Sequence, residues 1–175
     1  MLSPYPLLYR HMKTLISSIP RTTLSVLLAL ASLSVGAVLA EPGVELPALA
    51  LSDQHDQPVL IGPATKCLVF AAEKSVSEFV TRVFEARVKN HQANEAVVYV
   101  SDISAMPAMI SRMFAIPRLR ELPFQVALAR EASLVAEIPR RAGSATVLNV
   151  SNGKVTQVQY AQTEAQLRQA MASAL

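Results

Sequence analysis

The chain has 175 residues with 51% apolar side chains, a formal charge of +3 and a single cysteine. The charge surplus belongs entirely to Arg10, Lys13 and Arg21; beyond Ala40, thirteen basic residues balance thirteen acidic ones. A neutral domain lacks the basic surface that displaces counterions from phosphate, so a nucleic-acid partner is excluded, and one cysteine excludes an internal disulfide.

Residues 1–40 read as a signal peptide, with Met12 a plausible true start. The basic residues precede the apolar run TLSVLLALASLSVGAVLA, and Val38 and Ala40 occupy the −3 and −1 positions of a cleavage site before Glu41-Pro42. The predicted location is the periplasm. The rival reading is an uncleaved inner-membrane anchor facing the periplasm, because Thr22 to Ala40 is an uncharged stretch of nearly spanning length. Membrane contact is then expected only through this segment.

Residues 41–65 form the N-terminal extended part of one domain, two short pieces around the turn DQHDQ. The remainder, 66–175, carries the regular elements. CLVFAA from Cys67 is an apolar run of strand length, as expected of a strand covered on both faces. Ser75-Val76-Ser77-Glu78 has capping-box spacing, and Val76, Phe79, Val80, Val83, Phe84 and Val88 then share a helical face. VVYV, ending at Ser101-Asp102, is the next strand. Met106 to Phe114 is a second, shorter helix, and FQVALA a third strand. SLVAEIP is a brief link. TVLNV and VTQVQY flank Asn152-Gly153, the signature of a tight hairpin. Thr163-Glu164-Ala165-Gln166 is a second capping box before a final helix with Leu167, Ala170, Met171 and Ala174 inward.

The order βαβαβ, hairpin, helix demands a mixed α/β sheet with right-handed crossovers. It resembles the thioredoxin-like three-layer sandwich, with helices on both faces and the extra strand segment of the peroxiredoxin layout. The blocks MPAMISRMF, ELPFQVALAREASLVAEIP and SATVLNVSNGKV are similar to the exported YtfJ-like family within that superfamily. The resemblance implies the fold and carries no established reaction with it.

Thioredoxin-like redox enzymes place a thiolate at the start of the first helix, where helix N–H groups lower its pKa. Here that place reads Ala71-Ala72-Glu73-Lys74, and no CxxC motif exists. Cys67 lies at the opposite end of the strand, about 20 Å away at strand rise. It is read as a buried structural thiol; a one-cysteine peroxide reductase at Cys67 is the redox alternative. Met106, Met109 and Met113 recur at i, i+3 and i+7, a spacing that could present thioethers to Cu(I), but core packing is the favoured reading. His55 between Asp53 and Asp56 reads as a solvated turn. Asp102 sits at the strand edge where α/β proteins bind ligands and is equally a helix cap. Arg118 and Arg120, with Arg140 and Arg141, form a locally basic rim.

The expected function is thus a redox-inactive binding or accessory module, requiring no cofactor, for a periplasmic protein or peptide. Its expected contact surface is the junction at Ala71–Lys74 and residues 102–123, with Asp102, Met106, Arg118 and Arg120 as contacts.

Overall fold

The computed structural model describes residues 40–174. The predicted signal peptide lies outside the described residues except for its last position.

Six strands form one mixed sheet: β1 (Ser52–Asp53), β2 (Cys67–Ala71), β3 (Val97–Asp102), β4 (Ala127–Ala129), β5 (Ala145–Ser151) and β6 (Lys154–Ala161), ordered β1-β4-β3-β2-β5-β6. Strands β2, β3 and β4 run parallel, while β1, β5 and β6 pair antiparallel with their neighbours. Every residue of β2 is buried, because alternate side chains feed two separate cores. Cys67, Val69 and Ala71 enter one; Leu68 and Phe70 enter the other.

The first core lies beneath helices α1 (Lys74–Lys89) and α3 (Glu164–Ala172), whose buried rows are the predicted Val76, Phe79, Val80, Val83, Phe84 and Leu167, Ala170, Met171. Phe84 stacks between Tyr99 and Phe124 at ring-centroid distances of 5.3 and 5.4 Å. Arg82 on α1 reaches Glu164 on α3 at 2.7 Å, tying the two helices together. Helix α2 (residues 108–120) packs Ile116 and Leu119 against the same core. Two successive right-handed crossovers in one direction place α1 and α2 on one face. The opposite face is covered by a 3₁₀ helix, Ala132–Val135, and by extended chain carrying Leu49, Leu51 and Val59.

Three local readings require correction. The first capping box is not used: α1 starts at Lys74, and its N-cap Glu73 makes no side-chain cap bond because its carboxylate accepts the Gly143 N–H at 2.8 Å. The third strand keeps only Ala127–Ala129, since Gln54 intervenes. Its Nε2 donates to Phe124 O and its Oε1 accepts from Val126 N, substituting for strand pairing.

The third correction concerns α2, which spans residues 108–120 instead of ending at Phe114. Ala108–Ile110 and Ile116–Arg120 are α-helical, with a π segment Ser111–Ala115 between them. In the π segment Ile116 N–H bonds to Ser111 O, and the following α segment opens with Pro117 in its first turn, where a missing N–H costs little. The other boundary signals act as read. Thr163 Oγ1 accepts from Gln166 N, and Asn152 and Gly153 adopt φ of 50° and 77°, the positive pair a two-residue hairpin turn requires.

Candidate functional site

The parallel strands end together at Ala71, Asp102 and Ala129, and this C-terminal edge is where an α/β sheet presents ligand-binding loops. At the β2–α1 junction Ala72, Glu73 and Lys74 are exposed and carry no nucleophile. Glu73 ties the junction to the loop before β5 through Gly143.

Cys67, at the other end of β2, is fully buried. Desolvation pushes its thiol from the ordinary 9.0 up to about 12, against a weaker opposing pull from Arg87. A thiol so strongly protonated supplies almost no thiolate, the form that attacks peroxide or disulfide. A smaller cleft of about 440 Å³, lined by Arg87, Asn90, Arg168 and Met171, opens between the ends of α1 and α3 at this far end of the sheet.

Asp102 does not take the helix-cap role considered for it. Helix α2 begins only at Ala108 with Pro107 as its N-cap, so Asp102 caps nothing. Its Oδ1 accepts from Ser104 N at 2.9 Å, a local turn bond, and its Oδ2 pairs with Arg140 at 2.8 Å. The carboxylate side chain is only 5% exposed. Arg140 also lies over the Phe70 ring, 5.1 Å from its centroid. One arginine of the expected basic rim is therefore a strut across the sheet edge. Arg141 stacks over Tyr160 at 4.4 Å.

The remaining candidates separate into two surfaces. Met106 and Arg120 line an open cleft of about 600 Å³ between α2, the β1 turn and the segment after β4, together with Ser111, Arg112, Arg130 and Glu131. Its floor is organised by the DQHDQ turn. Asp53 Oδ1 accepts from the N–H groups of His55 and Gln57, and Oδ2 from Gln125 Nε2. Burial alone would raise this carboxyl, but those bonds outweigh it and hold Asp53 below its ordinary range. Asp56, with φ of 64°, projects towards two guanidinium groups, Arg130 at 2.6 Å and Arg120 at 3.3 Å. The Arg130 hydrogen bond and charge, with Arg120 behind, lower its pKa. Arg120 is anchored further by donating Nε–H to Gln54 O at 2.8 Å. A turn read as merely solvated is in fact the hub that fixes Arg120.

The outer side of α2 is the second surface. Met109 is 70% exposed, Met113 61%, Phe114 58% and Ile110 44%, and Arg118 is exposed beside them. The core-packing reading of the methionine face is therefore overturned. The core takes Ile116 and Leu119 instead, because the helix starts two residues later than expected and its π segment turns the 109–114 stripe outward. The three methionines also divide: Met106 is half-buried in the cleft while Met109 and Met113 point outward. Ile110 and Phe114 contribute no donor atom to that exposed stripe. Among the described residues no group of three or more His, Cys, Asp and Glu side chains could hold a metal ion.

No protein-family model and no curated protein matches the chain. Solved structures do. A thio-disulfide isomerase from Thermus thermophilus aligns with a TM-score of 0.50 at 20% identity, over 77% of this chain and 96% of that one. StoA from Bacillus subtilis aligns with a TM-score of 0.51 at 15% identity, over 73% and 98%. The fold is thioredoxin-like. This thioredoxin-like chain differs in the reacting groups from anything that exchanges disulfides within one molecule, since it holds a single, buried cysteine.

Proposed function

We propose that the protein is an exported, redox-inactive thioredoxin-fold module that binds a periplasmic protein or peptide partner in the cleft beside α2. The observation that carries this reading is the separation of sulfur from site. The only thiol is sealed at one end of β2, whereas the cleft lies at the opposite edge of the sheet and the β2–α1 junction carries no nucleophile. Met106 gives that cleft an adaptable apolar wall, and Arg112, Arg120 and Arg130 outnumber Asp56 and Glu131. The partner chemistry that fits is an apolar side chain next to a carboxylate. Asp102 supports the cleft edge through Arg140, and Arg118 flanks it from outside.

The alternative is chemistry at Cys67 or Cu(I) binding by Met106, Met109 and Met113. The first is opposed by the burial of the thiol, the second by the split between an inward Met106 and an outward pair.

The test is photo-crosslinking in cells from position 106, with position 90 at the far end of the sheet as control. A discrete adduct from 106, absent from 90 and weakened by Arg120→Glu, is expected. No adduct from 106, or the same adduct from both positions, removes the cleft as the binding site.

A further inference from the structure

The outer stripe of α2 is unexplained by the cleft. Met109, Ile110, Met113 and Phe114 follow one another at i, i+1, i+4 and i+5, so they form a continuous apolar band along the helix. In the second turn and beyond, Arg112 and Arg118 flank the band, and among the described residues neither has a carboxylate within 4.0 Å. From Ile103 to Arg120 the sequence contains three arginines and no acidic residue, in a domain whose charges balance overall. Four large apolar side chains that protrude from one helix, with cations beside them, suit a soft anionic phase. A folded protein partner would be expected to meet them with a groove, whereas a bilayer needs only an outward apolar face flanked by arginine.

We propose that α2 is an interfacial helix that docks the domain onto an anionic lipid bilayer. Met113 and Phe114 enter the headgroup–acyl boundary, with Met109 and Ile110 beside them, while Arg112 and Arg118 meet lipid phosphates. The helix is too short to span a membrane, and among the described residues no helix is long and apolar enough to do so; the contact is peripheral. The cleft opens on the other side of the same helix and shares only Arg112 with the docking face, so docking holds whatever the cleft binds close to the bilayer. A bilayer contact through the folded domain departs from the sequence expectation, which confined membrane contact to the leader.

The experiment uses residues 40–175, which contain all six strands and both cores and exclude the apolar leader. Co-sedimentation is measured with vesicles of phosphatidylcholine alone and with added phosphatidylglycerol, and hydrogen exchange is followed on the bound protein. The expected result is binding to the anionic vesicles, weakened by salt, with new protection confined to residues 108–120. Met113→Ser with Phe114→Ser lowers partitioning roughly tenfold or more, because exposed side chains can be removed without disturbing the core. An unchanged melting temperature for that variant separates lost docking from lost folding. Arg112→Gln with Arg118→Gln removes the preference for anionic over neutral vesicles. The proposal is overturned if the protein stays with the supernatant at low salt, or if protection falls outside α2. It is also overturned if residues 108–120 become protected with rising protein concentration and no lipid, which would make a second copy the occupant.

Discussion

Replacing Arg140 with methionine strands the carboxylate of Asp102. In the native protein the Asp102 side chain is 5% exposed and its Oδ2 lies 2.8 Å from the guanidinium, with only the Ser104 N–H as a further partner at Oδ1. Breaking a fully buried pair from one side costs about 3–5 kcal/mol. Arg140 is itself 41% exposed, so water already screens part of the pair, and a value near 2–3 kcal/mol is appropriate. Methionine retains most of the packing over Phe70, so the loss reports the charge and not the ring contact. At this chain length the change corresponds to a fall in Tm of roughly 8 °C. Urea unfolding of wild type, Arg140→Met, Asp102→Asn and the double variant supplies both the single losses and the coupling between them. The double variant recovers about 1 kcal/mol relative to Arg140→Met, since a neutral amide is less costly to bury than an unpaired charge. A loss below about 0.5 kcal/mol for Arg140→Met would refute the strut across the sheet edge.

Two further expectations concern the termini of elements. Asp53 has its pKa lowered in the folded state, so its contribution to stability is complete above the ordinary value of 3.8 and disappears as pH falls through the lower folded-state value. Thermal melts from about pH 5 to pH 2 should therefore show Asp53→Asn less stable than wild type at the upper end and converging with it at the lower; parallel curves would contradict this. Gly153→Ala places a side chain at φ 77° in the β5–β6 turn and should cost about 1 kcal/mol in urea unfolding, whereas no loss would mean that the turn relaxes to another type.

Much of the fold was legible because its signals are local. The unbroken burial of Cys67–Ala71, the apolar row of α1, the Asn152-Gly153 turn and the Thr163 cap each follow from residues within a few positions of one another. What escaped depends on distant partners. Glu73 is diverted to Gly143, so the Ser75 box never caps a helix. Gln54 replaces strand pairing at Phe124 and Val126, seventy positions away and more. Asp56 reads as a turn residue until Arg120 and Arg130 arrive from elsewhere in the chain.

The site was legible in part for the same reason. Met106 and Arg120 do come together, and the lack of a nucleophile at the β2–α1 junction is read from its composition alone. The Asp102–Arg140 pair spans thirty-eight positions and left no spacing signal. The methionine stripe was misassigned because periodicity identifies a face without saying which way it points. Only the π segment and the later helix start decide that Met109 and Met113 look outward.

The most direct measurement for the proposed redox-inactive scaffold is the alkylation rate of Cys67 in the native protein. A rise from 9.0 to about 12 lowers the thiolate fraction about a thousandfold near neutral pH, and burial removes access as well. Modification should therefore be negligible in buffer, accelerate through the urea unfolding transition and reach the rate of a free thiol only in the unfolded chain. Labelling of the folded protein as fast as a small free thiol would contradict the account.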